Sequence, residues 1–272
     1  MSHSSGAHVI SVNGILVHYS LKGPPDVPTL MFGNGLATST EMWDEQARYF
    51  SQHWQVLRYD TRGHGSTGAS EPPYSAEQLA HDVVGLLDRL GIGRAHYVGL
   101  SLGGMIGQYV VARHSDRFAS LTLCDTTMRM NRQMWDARIA AIEAEGIEPQ
   151  VHPSIDRWFT PSFSAAHSEI VEQLRHMIRT TSKQGYLGCA MAIRDMELEP
   201  LTRTIVVPTL VLVGRDDRST PVEDASELHA AIRGSELAVL DHAAHLPNIE
   251  QTRRFNEVLQ RFLNTHRRVR SR

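Results

Sequence analysis

The segment from Ala95 to Gly107, AHYVGLSLGGMIG, constrains this chain more than any other. It joins an apolar strand pattern to a helical pattern running to about His114, with Gly99-Leu100-Ser101-Leu102-Gly103 at the junction. As five letters, G-x-S-x-G is weak, because small residues gather in many turns. Placed where a strand reverses into a helix it becomes specific, since such a turn presents its central side chain at the edge of a sheet. The flanking glycines let the strand and helix backbones approach. The bland alternative is a serine helix cap with glycines for packing.

A serine hydroxyl is a poor nucleophile until a base takes its proton and an acid orients that base. For a serine on a strand-to-helix turn, the partners follow in the order acid, then histidine. Beyond the last strand pattern, Leu237–Leu240, the histidines are His242, His245 and His266. His245 lies next to the start of the closing helix at Leu246-Pro247-Asn248, where it can reach back over the sheet edge. His242 reads as a loop histidine that caps or packs. Two acids compete. Asp217 lies in the short loop from Gly214 to Pro221, after the strand pattern Val206–Val213, with Pro221 as a helix start. Asp125 ends the strand that follows the serine helix. The glycine, short loop and proline favour Asp217, and Asp216 reads as a solvated neighbour.

An attacked carbonyl oxygen also needs two backbone N–H groups aimed at its developing charge. Leu102, directly after the serine, is expected to supply one. Leu36 is expected to supply the other, from the loop Gly33-Asn34-Gly35-Leu36-Ala37-Thr38, where Gly35 would let the backbone approach. The run Arg58-Tyr59-Asp60-Thr61-Arg62-Gly63-His64-Gly65-Ser66 looks catalytic by composition. It precedes Ser101, however, and reads as a hydrogen-bonded turn bracing the floor of the site.

These motifs sit on an alternating scaffold. His8–Val12 and Ile15–Leu21 flank Asn13-Gly14, the strongest two-residue hairpin signal. Short apolar strands then follow at Thr29–Phe32, Gln55–Tyr59, Ala95–Leu100, Leu121–Cys124, Val206–Val213 and Leu237–Leu240. Helical patterns separate them, such as Ala76–Leu90, which stops at Gly91. This rhythm implies an α/β fold: a mostly parallel, doubly wound sheet with an antiparallel N-terminal hairpin. From about Thr127 to Leu201 the rhythm fails, and only helical stretches rich in Met, Trp, Arg and His occur. The expected organisation is one core, residues 1–126 and 202–272, with a helical cap, 127–201, over the carboxyl edge of the sheet. A length of 272 residues suits one large α/β domain.

A formal charge of -3 gives no electrostatic reason to expect nucleic acid or an anionic membrane as a partner. No stretch approaches a membrane span, and Met1–Gly6 lacks the charged start and apolar run of a secretory signal. A cytoplasmic enzyme acting on a small molecule is the expectation. Cys124 and Cys189 fall in no metal-binding spacing and read as buried thiols; no cofactor or metal is expected. The basic end, His266–Arg272, reads as a solvated tail.

The loop Gly33–Leu36, the run Arg58–Gly65, the Ser101 turn, Gly214–Pro221 and His245–Glu250 together resemble the α/β-hydrolase superfamily over nearly the whole chain. Within it the chain is similar to the 3-oxoadipate enol-lactonases of the β-ketoadipate pathway. That similarity rests on Glu41-Met42-Trp43-Asp44, Leu123-Cys124-Asp125-Thr126, Trp135-Asp136-Ala137-Arg138, Arg157-Trp158-Phe159-Thr160 and Gly185-Tyr186. The resemblance implies opening of 3-oxoadipate enol-lactone to 3-oxoadipate through an acyl-enzyme on Ser101, with no cofactor. The alternative is a carboxylesterase, or another serine-triad hydrolase, acting on a different ester or lactone. Epoxide hydrolases and haloalkane dehalogenases would need an aspartate at position 101. A ligand-binding receptor on the same fold is opposed by the intact set Ser101, Asp217 and His245. The carboxylate of an enol-lactone would need a cation, and the cap offers Arg129, Arg132, Arg138 and Arg157. Trp135 and Arg138, three apart on a helix, share a face. With Trp158 they are the expected substrate-binding residues.

Overall fold

In the computed structural model, which describes residues 7–267, eight strands form one sheet in the order β1-β2-β4-β3-β5-β6-β7-β8. The expectations for Met1–Gly6 and for Arg268–Arg272 lie outside those residues. β1 (His8–Val12) and β2 (Ile15–Lys22) form an antiparallel hairpin. Its turn residues Asn13 and Gly14 have φ of 44° and 80°, the left-handed pair that asparagine-glycine favours. β2 runs antiparallel to β4 (Gln55–Tyr59). The rest of the sheet is parallel: β3 (Thr29–Gly33), β5 (Ala95–Leu100), β6 (Phe118–Cys124), β7 (Thr209–Gly214) and β8 (Glu236–Leu240). Every residue of β3, β5, β6 and β7 is buried, as strands covered on both faces must be.

Strand order reverses beside β3, with β4 on one side and β5 on the other. At such a switch point the loops leaving adjacent strand ends part in opposite directions and open a crevice. Gly33 of β3 pairs with Gly99 of β5, so the loop carrying Leu36 and the turn carrying Ser101 leave the sheet side by side. The core helices are α1 (Asp44–Phe50), α2 (Ala76–Arg89) and α3 (Leu102–Arg113). Between β6 and β7 come α4 (Arg132–Glu145), α5 (Glu148–Trp158), α6 (Pro161–Ala166), α7 (Ser168–Thr180), α8 (Lys183–Asp195) and α9 (Glu199–Thr202). After β7 come α10 (Val222–Ala231), α11 (Pro247–Glu250) and α12 (Thr252–His266). No helix among the described residues is long and apolar enough to cross a membrane.

Three differences from the sequence reading go beyond a one-residue shift at an element's end, each for a local reason. β6 begins at Phe118, because Ser120 satisfies its hydroxyl on buried His96 Nδ1 at 2.8 Å and so belongs in the ladder. β7 begins at Thr209, since Pro208 has no N–H to give a neighbouring strand and Val206 is 81% exposed. The closing helix is two pieces, broken at Gln251 (φ −125°), whose side chain donates to the carbonyl of His242 at 2.9 Å. At the last described residues, His266 closes α12, and the Arg267 guanidinium lies 5.3 Å from the Trp54 ring.

The turn from Arg58 to Ser66 is a web of buried hydrogen bonds. Asp60 accepts from the Thr40 and Ser66 amides and pairs with His18 Nδ1 at 2.7 Å. Arg62 makes a two-point bond to Asp82 on α2, at 2.8 and 2.7 Å, with both groups buried. Removing one partner of a buried pair strands the other charge, which costs about 3–5 kcal/mol. Asp82→Ala is therefore expected to lower unfolding free energy in urea by about that amount. The turnover of the molecules that remain folded should be retained, because neither residue reaches the cavity described below.

Candidate active site

Ser101 sits between β5 and α3 with φ 54° and ψ −115°, a conformation that L-residues avoid. Such backbone costs of order 1–3 kcal/mol and persists only where its surroundings hold it. Here the Ser101 N–H donates to the carbonyl of Cys124 on β6 at 2.9 Å, and the Thr126 hydroxyl donates to the Ser101 carbonyl at 2.8 Å. The flanking glycines are sterically required. A Cβ on Gly99 would lie 2.2 Å from the Gly103 carbonyl oxygen, and one on Gly103 would lie 2.3 Å from that of Gly33. Gly35 behaves differently from expectation: a Cβ there would make only ordinary contacts, the nearest at 3.6 Å. Close backbone approach in this crevice is set by Gly33 and Gly103 instead.

Leu102 is the first residue of α3, so its N–H has no acceptor within the helix. Its side chain is buried beneath the turn, and it does not line the cavity. Leu36 does line it, beside Gly35 and Ser101. Asn34 anchors that loop to β4 through a buried 2.9 Å bond from its amide to the Tyr59 carbonyl.

Opposite the serine turn, His245 Nδ1 lies 2.8 Å from Asp217 Oδ2, and both side chains are buried. Asp217 also accepts from the Ser219 amide at 2.7 Å, the Thr220 amide at 3.2 Å and the Thr220 hydroxyl at 2.7 Å. Burial pushes its carboxyl up, but His245 and these donors outweigh burial and hold it below the ordinary carboxylate range. Asp216 and His242 are both exposed and absent from the cavity lining. Asp125 is buried behind Asp217 and makes no hydrogen bond to His245. One atom each of Asp125, Asp217 and His245 could in principle meet a cation. A metal there would have to displace the Asp217–His245 bond.

Sequence reading missed two residues at this point. Thr220 supports Asp217 and lies 3.5 Å from His245 Nδ1; its only signal was a hydroxyl three residues beyond an acid. Glu250 accepts from the Ala244 amide at 2.9 Å, next to His245, and from both the amide and hydroxyl of Thr160. Together with the bond from the Leu246 amide to the Trp158 carbonyl, at 3.2 Å, it ties the histidine loop to the end of α5.

Ser101 and His245 open on one cavity of about 470 Å³. Leu36, Thr220 and Met105 line its lower side, while Trp135, Arg138, Arg157, Trp158 and Tyr186 come from the helices between β6 and β7. The four candidate arginines separate clearly. Arg129 is exposed and paired with Glu199 and Glu227; Arg132 is exposed, pairs with Asp195 and lies off the cavity. Arg138 lies over the Trp135 ring at 4.7 Å, and Arg157 bonds only Ser154 Oγ, at 3.3 Å. Among the described residues neither has a carboxylate partner. Burial, and then the neighbouring charge of Arg138, press the Arg157 guanidinium below its usual range.

The model of the alpha/beta hydrolase fold matches residues 28–252. This chain belongs to that family. As an alpha/beta hydrolase it is 35% identical to 3-oxoadipate enol-lactonase 2 of Acinetobacter baylyi, over 92% of this chain and 94% of the relative. The enol-lactonase of Burkholderia xenovorans LB400 superposes with a TM-score of 0.92 at 36% identity, covering 94% of this chain and all of that one. A thermophilic esterase from Thermogutta terrifontis, solved with malate bound, superposes at 0.90 with 26% identity, over 97% of this hydrolase and all of the esterase.

Proposed function

We propose that this hydrolase opens 3-oxoadipate enol-lactone to 3-oxoadipate through an acyl-enzyme on Ser101. The reaction belongs to the catabolism of aromatic compounds in the cytoplasm and uses no cofactor. The bond between Asp217 and His245 Nδ1 leaves Nε2 as the free basic nitrogen. His245 Nε2 takes the Ser101 proton as Oγ attacks the lactone carbonyl. The N–H groups of Leu36 and Leu102 receive the developing oxyanion. Collapse expels the ring oxygen as an enolate, which takes the proton from His245, and the enol becomes a ketone. Water, activated by the same histidine, then releases the product acid from Ser101.

The observation that carries the choice of substrate is the guanidinium groups of Arg138 and Arg157, which have no carboxylate partner among the described residues, in the wall of the serine's cavity. A cation pressed out of water invites an anion, and the enol-lactone carries one carboxylate to meet it. Trp135 and Trp158 supply apolar walls for the ring. The similarity to two enol-lactonases supports the same choice. A second reading, a carboxylesterase for a different acidic ester, draws on the superposition with the esterase that holds malate.

Loss of the enol-lactone chromophore, measured beside a panel of neutral esters, separates these readings. kcat/KM for the lactone should exceed that for every neutral ester; a preferred ester would favour the second reading. Arg138→Met is expected to raise KM for the lactone by roughly 10- to 100-fold, the ~1.5–3 kcal/mol of a charged hydrogen bond. Hydrolysis of p-nitrophenyl acetate should change far less. Equal losses on both substrates would make Arg138 a support of the fold.

A further inference from the structure

Asp125 is a buried carboxyl beside the site that the proposed chemistry does not use. It ends β6 in left-handed backbone, φ 43°, and its N–H donates to the Leu212 carbonyl of β7 at 2.9 Å. Its Oδ1 accepts the Gly214 N–H at 2.8 Å, while Oδ2 is buried with no donor beside it, and a proton on the carboxyl makes it a hydrogen-bond partner of Asp217. The residue is 1% exposed, and no cation pairs with it among the described residues. An atom each of Asp125, Asp217 and His245 lies within 4.8 Å of the other two.

Two carboxylates this close, walled from water, do not both ionise. The donors decide which one does. Asp217 has two amides, a hydroxyl and the imidazole; Asp125 has one amide. Burial, and next the charge of Asp217, hold the Asp125 carboxyl well above the ordinary range. Asp125 therefore keeps the proton, and Asp217 carries the charge. The charged or titratable groups around Asp125 are Asp217 from the loop after β7, His245 from the loop after β8, Glu250 from α11 and its neighbour Cys124 on β6.

We propose that Asp125 is a reserve acid for His245: a second carboxyl, silent while Asp217 is present, that positions the imidazole and supports its charge once Asp217 is removed. This rests on the reading of Asp217 and His245 as the working pair. In an Asp217→Ala protein the repelling charge is gone, and the space left by the carboxyl admits water beside Asp125, which relieves part of the burial that holds its proton. The ionised carboxylate then faces His245 within the same small cluster.

The test compares kcat and its pH profile for Asp217→Ala, Asp125→Asn and the double variant, with thermal melting to show that each is folded. Asparagine at 125 keeps the acceptor for Gly214 but has no charge to lend. Asp217→Ala should retain about tenfold or more of the kcat left in the double variant, a coupling of the size found between residues in contact. Its kcat should also rise with pH as Asp125 loses its proton, a limb missing from the double variant. The rate of Ser101 labelling by a fluorophosphonate should show the same ranking and needs little protein. A double variant that matches Asp217→Ala in rate and pH profile overturns the proposal. If Asp217→Ala itself turns over like the parent, the pairing of Asp217 with His245 fails first, and the reserve role falls with it.

Discussion

Ser101→Ala is expected to lower kcat by about 10⁶-fold, and His245→Ala by a similar factor, with the double variant no worse than either. Residues that act as one unit lose their function together, so their effects do not add. The substitution at 101 removes one hydroxyl from a turn held by the Cys124 and Thr126 contacts, both of which use backbone atoms of Ser101. The fold should survive it, and circular dichroism should match the parent. His242→Ala is the control: His242 is exposed and away from the cavity, so turnover should stay within about tenfold, a factor worth only ~1.4 kcal/mol. A loss from His242→Ala equal to that from His245→Ala would move the base.

The second large effect is at the acid. Asp217→Asn is expected to lower kcat by on the order of 10³–10⁴. An amide at that position donates toward His245 Nδ1 where the carboxylate accepts, so the ring is held in the wrong tautomer and its positive form loses its partner. The Ser219 and Thr220 amides can still donate to the remaining carbonyl oxygen, so the loop should keep its shape. Asp125→Asn should cost less than about tenfold, below ~1.4 kcal/mol, because the neutral amide replaces a carboxyl that is itself uncharged. Steady-state kinetics on the two variants rank them directly. The opposite ranking would place the acid at the end of β6.

What could be read in the sequence was what local rules control. β3, β5, β6 and β7 are buried on both faces, so each is an apolar run. The Asn13-Gly14 turn and the Gly99 and Gly103 contacts are backbone constraints that only certain residues satisfy. Partners distant in sequence were not legible. Glu250 reaches Thr160, and Arg129 reaches Glu199 and Glu227, only because the helices between β6 and β7 fold back over the sheet. Those contacts decide which cap arginines are already occupied, and no spacing rule reports them. Gly35 illustrates the opposite error, since a glycine in a suggestive loop turned out to have room for a side chain. The break at Gln251 was hidden too, because the apolar period of α12 continues smoothly from the residues of α11.

A fluorophosphonate probe reports on the proposed role of Ser101 as the nucleophile of a histidine-assisted hydrolase, since such reagents form a stable bond only with an activated serine. One label per chain is expected, mapped by mass spectrometry to the peptide holding Ser101, with labelling lost in Ser101→Ala and slowed strongly in His245→Ala. A folded protein that takes no label, or takes it on a residue other than Ser101, would show that Ser101 is not the nucleophile.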